Sequence, residues 1–211
     1  MAVLFLSALT VGFSGAMMPG SLLTYTIEQS LKSGARAGLL ITLGHALLEI
    51  VIIILIFLGL GSILKTNAAQ IAISLAGGVL LTLMGIQMIA GSIRNTVQIR
   101  TGGSGKGEQN LRLLLSGAAI SAANPYFLLW WAAIGLGFIM QSYSALGSLG
   151  VLVYFLGHIS ADFIWYVSIS AIIGKTRKFI REKPYRVLIA VLGGLLIYFG
   201  IKFILGIGQY L

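Results

Sequence analysis

The chain has 211 residues, of which 58% are hydrophobic and only 9% charged, with a net charge of +9. A soluble domain carries about 25% charged residues, so a mean hydropathy of +1.00 excludes an ordinary soluble enzyme, because too few polar side chains remain to coat one core. The apolar abundance equally excludes disorder, and the lack of cysteine excludes disulfides, thiolate metal sites and thiol redox chemistry.

Six apolar stretches follow in order, at about 3–28, 37–64, 68–92, 111–140, 144–173 and 186–208. Each is long enough for the ~20-residue helix that crosses a bilayer. They are continuous rather than alternating, and lipid offers no partner for backbone groups, so they read as helices. The first opens Met1-Ala2-Val3-Leu4 without a basic n-region, so it reads as a span rather than a signal peptide. Pro19-Gly20 interrupts it. The second carries Gly44-His45-Ala46-Leu47-Leu48-Glu49, and the third carries Gly77-Gly78 and Gly85. The stretch 93–110 contains Gly102-Gly103-Ser104-Gly105-Lys106-Gly107. A phosphate-binding loop would need Gly at position 100 and Ser or Thr at 107; Arg100 and Gly107 stand there, and no strand precedes them. It reads as a flexible cytoplasmic linker between a first unit, 1–92, and a second, 111–211. The fourth stretch is broken at Asn124-Pro125 and holds Trp130 and Trp131. The fifth carries Gly157-His158-Ile159-Ser160-Ala161-Asp162 and then Trp165. The sixth carries Gly193-Gly194 and Gly200.

Twelve of the 14 Lys and Arg fall on the side shared by the connections after spans one, three and five, leaving only Lys65 and Lys202 opposite. Basic loops stay cytoplasmic, which puts both termini outside. The positive charge therefore reads as orientation and lipid contact rather than nucleic-acid binding. The two halves match at the broken spans, at the Gly-His-x-x-x-acid segments and at the Gly-Gly spans, in one order. Each half has an odd number of spans, so the expected fold is an all-α polytopic membrane protein of six helices in two inverted three-helix repeats. Inverted repeats with interrupted helices point to a secondary transporter with its site near the midplane. A membrane scaffold is the competing class, and it has no use for ionisable side chains at the membrane centre.

Glu49 and Asp162 are the acids deep in apolar spans. Such residues cost free energy in lipid and mark ion, proton or substrate paths. His45 and His158 each lie four residues before an acid, on the same helix face. The pairs suit proton or ammonium exchange, or a polar joint between helices. The same imidazoles and carboxylates also suit a divalent metal, which makes metal or other ion export the alternative function. At the breaks, Pro19 and Pro125 free carbonyls, and the helix starts that follow, with Gly20 and Asn124, can hold a substrate carboxylate or simply form kinks. Trp165 either lines the cavity or faces lipid. The chemistry calls for no cofactor and no covalent catalysis.

These residues resemble the lysine exporter (LysE/RhtB) family. The likeness rests on Met18-Pro19-Gly20, Gly34-x-x-x-Gly38, Gly44-His45-x-x-x-Glu49 and Ala123-Asn124-Pro125, and covers nearly the whole chain. It implies a proton- or potential-driven inner-membrane exporter of an amino acid or related small zwitterion, working as a homodimer. Two positions depart from the family pattern. Ser21 stands where a Pro often follows Gly20, and Tyr126 stands where a Lys often follows Pro125. Thiol-redox relatives are excluded by the missing cysteines, whereas metal exporters of the wider superfamily are not.

Overall fold

The computed structural model describes residues 1–18, 20–64, 66–94, 106–176 and 182–209, and every regular element among them is a helix. Pro19, Lys65, the Gly-rich run up to Gly105, and Arg177, Lys178 and Arg181 lie outside the described residues. The helices are α1 (Ala2–Ala16), α2 (Ser21–Ser33), α3 (Ala35–Leu55), α4 (Gly61–Leu64), α5 (Asn67–Ile93), α6 (Lys106–Ala122), α7 (Pro125–Trp130), α8 (Leu136–Thr176) and α9 (Glu182–Leu205). π-helical turns join α3 to α4 and α7 to α8. Helix α6 starts at Lys106, inside the stretch that composition marks as linker.

The apolar runs make this a polytopic membrane protein. Four helical stretches among the described residues are long and apolar enough to cross a bilayer: Ala35–Gly59, Asn67–Ile93, Pro125–Thr176 and Arg186–Gly208. Helices α1 and α2, bent by 80°, make a fifth if the pair is one span. The expectation from sequence is six. The difference lies in Pro125–Thr176, whose 52 residues would extend about 78 Å as straight helix, against a ~30 Å hydrocarbon core. The backbone leaves the helical region there at Leu146 and Gly147, the glycine at φ 59°. Gly34 turns the chain between α2 and α3 with nearly the same conformation, φ 61°. Only glycine takes that conformation without a Cβ clash.

Close approach of backbones sets the packing. Helix α1 runs along α8, α6 along α3, and α5 along α9, while α3 crosses α8. A Cβ on Gly44 would overlap the Leu114 carbonyl, and one on Gly117 the Ile41 carbonyl. Across the α1–α8 contact, Gly12 abuts the His158 carbonyl and Gly157 abuts that of Phe5. In the α5–α9 pair Gly78 meets Gly200 and Gly85 meets Gly193, so the helices run antiparallel. Lipid is as apolar as leucine, so such small-residue contacts, not hydrophobic burial, hold helices together in a membrane. The outer face of α3 accordingly presents Leu39, Leu43, Leu47, Ile50 and Ile54. At one end of the α5–α9 pair, Ser92 Oγ donates to the Arg186 carbonyl (2.8 Å), and Arg186 Nε donates to the Ser92 carbonyl (2.9 Å).

This packing predicts unequal glycine effects. Gly44→Ala forces α3 away from α6, a cost of about 1–3 kcal/mol, and lowers the apparent melting temperature in detergent. Gly194→Ala, whose new Cβ would have nothing within 4 Å, changes it little.

Candidate functional site

The spacing of four on α3 puts His45 and Glu49 on one face, and the same spacing on α8 does so for His158 and Asp162. Where α3 crosses α8 the two faces meet. All four side chains are buried, Glu49 to 1% exposure and Asp162 to 3%. Glu49 Oε1 lies 2.8 Å from His158 Nε2 and 3.3 Å from His45 Nε2. Asp162 Oδ1 lies 3.8 Å from His45 Nε2, and its Oδ2 lies 3.7 Å from His158 Nε2. Each acid thus faces the histidine of its own helix and that of the other.

The hydrogen bonds assign the protons. Ser121 Oγ on α6 donates to the Gly117 carbonyl at 2.7 Å, so it accepts from His45 Nδ1–H at 2.8 Å. A neutral His45 then turns a bare Nε2 toward two carboxylates. Lone pairs facing lone pairs repel, so one further proton belongs in the cluster, on His45 Nε2 or on an acid. His158 is held differently. Its Nε2–H donates to Glu49, and its Nδ1 has no partner among the described residues. Gly12 lies opposite that nitrogen, where an added Cβ would stand 3.1 Å away. The His158 ring is fixed instead by aromatic neighbours, 4.8 Å from Trp130 and stacked on Tyr154 at 5.9 Å.

The cluster lines a partly open cavity. Gly20 and Asn124 line it too, so both chain breaks open onto the acids. The breaks face each other: a Cβ on Gly20 would stand 3.5 Å from Asn124 Nδ2. Of the other residues singled out from sequence, Pro125 is buried against Gly77 as the first residue of α7, and Pro19 lies outside the described residues. Trp165 packs against the buried cluster to which Leu22, Ile41 and its neighbour Tyr166 belong, and Tyr166 lines the cavity instead. Four residues after Asp162, Tyr166 shares its helix face more closely than Trp165 does, a distinction available from helix geometry. Ser121, one of two serines in α6, gave no such signal.

One ligand atom each from His45, Glu49 and Asp162 lie within 4.8 Å of one another, a donor set of the kind first-row divalent metals take. Glu49 Oε1, however, is already bonded to His158 at hydrogen-bond distance. Asp162 by contrast stands 3.8 and 3.7 Å from the two imidazoles, so the cluster is only partly satisfied from within.

Residues 13–206 match the model of the LysE type translocators. The chain is 28% identical over 178 residues to "Chemotactic transduction protein ChpE" of Pseudomonas aeruginosa, covering 84% of this chain and 86% of that protein. It is 26% identical over 201 residues to "Putative amino acid efflux protein YcgF" of Bacillus subtilis, covering 95% of this chain and 94% of that one. No solved structure matches it.

The Ser121 bond carries a stability prediction. Ser121→Ala leaves His45 Nδ1–H buried without its acceptor, at a cost of about 1–3 kcal/mol. Thermal unfolding in detergent should show the loss. Ser160→Ala, which removes a hydroxyl bonded only to its own helix at Leu156, should show little.

Proposed function

The chain belongs to the LysE type translocator family and is a membrane transporter, and we propose that it exports an amino acid or related small zwitterion by proton-coupled alternating access. One observation carries this reading: two carboxylates and two imidazoles, all buried, line one cavity beside both helix breaks. A lone charge is costly in an apolar helix, so each acid needs a proton, an imidazole or a bound cation. A substrate ammonium competes with the proton for that place. Proton loss favours loading, and proton return on the other side favours release. Such coupling needs only that proton and substrate prefer different states of one group. The similarity to a protein described by amino acid efflux supports the substrate class.

In this reading the chain makes six spans in two inverted repeats, 1–92 and 111–211, joined by a cytoplasmic linker. The exchange of partners supports it, since α1 runs along α8 as α6 runs along α3. So does the near-identical corner at Gly34 and Gly147, and the reciprocal pairing of Gly78 with Gly200 and Gly85 with Gly193. The basic asymmetry supports an inner-membrane location with both termini outside. The working unit is a homodimer, as the family resemblance implies.

Efflux from proteoliposomes loaded with amino acids tests the coupling. Glu49→Gln and Asp162→Asn nearly keep shape but remove titration. At least one should abolish the pH dependence of export while the protein still folds. If both keep transport and its pH dependence, the acids only join helices and the mechanism fails.

A further inference from the structure

We propose that His45 Nε2, Glu49 and Asp162 form a binding site for one divalent first-row metal ion, which takes the place of the cluster's shared proton and so blocks export. Charge balance favours such an ion. Two carboxylates beside two neutral imidazoles carry two negative charges in a buried volume, and no Lys or Arg stands among the described residues that line the cavity. One proton cancels half of that charge. One divalent cation cancels all of it, and an uncompensated buried charge is costly. Glu49 Oε2 and Asp162 Oδ2 are buried without hydrogen-bond partners among the described residues, so the cluster has acceptor capacity that its own donors leave open.

The donor geometry fits. Metal bonds of about 2.1 Å at tetrahedral angles put neighbouring ligand atoms about 3.4 Å apart. His45 Nε2 stands 3.3 Å from Glu49 Oε1 and 3.8 Å from Asp162 Oδ1, and one donor atom from each of the three side chains lies within 4.8 Å of the others. Closing the site asks the two carboxylates to draw together, which a cation between them favours. His45 is already prepared as a ligand. Its Nδ1–H is held by Ser121 Oγ at 2.8 Å, and Ser121 by the Gly117 carbonyl, so the Nε2 lone pair points at the carboxylates. Metal-binding imidazoles are commonly oriented by such a bond from their other nitrogen. Phe127 meets the same ring edge-on at 5.3 Å. His158 is not a fourth ligand, because its Nε2–H is committed to Glu49 Oε1 at 2.8 Å. That bond uses one lone pair of Oε1; the other, and those of Oε2, remain for an ion. One imidazole and two carboxylates suit manganese, iron, cobalt or zinc rather than the soft ions that thiolates select. Three protein ligands leave a position open to the cavity that all three residues line.

Zinc chloride titrated into purified, tag-free protein in detergent tests the site. The chain has two histidines and no cysteine, and both histidines are in the cluster, so an imidazole-bound ion can be nowhere else. Wild type should bind one zinc per chain. X-ray absorption of the zinc-loaded protein should show one imidazole and oxygen ligands at about 2.0–2.2 Å. Calcium, which takes six or more oxygens, should bind at least about tenfold more weakly. His45→Gln and the nearly isosteric Asp162→Asn should each weaken zinc binding at least about tenfold, and Ser121→Ala about 10–100-fold. In proteoliposomes, zinc should stop export at the concentrations at which it binds. Wild type that takes up no zinc saturably, or holds it by oxygens alone, overturns the site whether or not the variants fold. Unchanged zinc binding in folded His45→Gln or Asp162→Asn overturns it too, and export that continues with zinc bound overturns the block. The binding and absorption measurements use no solute. If no amino acid leaves the vesicles, the export reading falls and the zinc site stands on those two.

Discussion

Glu49 is a carboxylate at 1% exposure inside an apolar helix bundle, and the arrangement around it follows from the need to neutralise it. Insertion scales put such a charge at about 2.5–3.5 kcal/mol at a helix centre, so its partners must lie within hydrogen-bond reach. One comes from its own helix, His45, and one from α8, His158. That second bond fixes where α3 crosses α8. The crossing in turn brings Asp162 within 4 Å of both imidazoles, so four ionisable groups share one small volume. Glycine makes the approach of their supporting helices possible. Gly44, one residue before His45, lets α6 come close enough for Ser121 to hold His45, and Gly157, one residue before His158, does the same for α1.

Much of this was legible in the sequence because membrane burial leaves strong traces. Two acids in long apolar runs stand out against a chain that is only 9% charged. The i, i+4 histidines predict shared faces, and the structure brings both faces together. The paired breaks at Gly20 and Asn124 do meet across the cavity. What could not be read was how the two halves differ. A repeat motif suggests equal sites, but His45 is anchored by Ser121 while His158 Nδ1 faces Gly12 and has no partner among the described residues. That contrast depends on which residue of a neighbouring helix lies opposite, and helical periodicity within one span carries no register between spans. The span count was similarly blurred, because α8 continues through the expected loop and turns only at Leu146–Gly147.

Inequality between the halves has functional consequences. One imidazole is fixed in its tautomer by a hydroxyl and turns Nε2 to both acids; the other is clamped by aromatic rings and serves Glu49. The break before α7 is capped by its own Asn124, whereas Gly20 gives α2 no side-chain cap. The two histidine–acid pairs that line the cavity are therefore not equivalent.

The central claim is that substrate and proton compete for the buried acids. Purified protein in weakly buffered detergent with a pH indicator, titrated with the amino acid that its vesicles export, measures this directly. Wild type should release about one proton per molecule bound, as linkage between the two ligands requires, and the double variant Glu49→Gln, Asp162→Asn should release none. Saturable binding to wild type with no proton released would contradict the account.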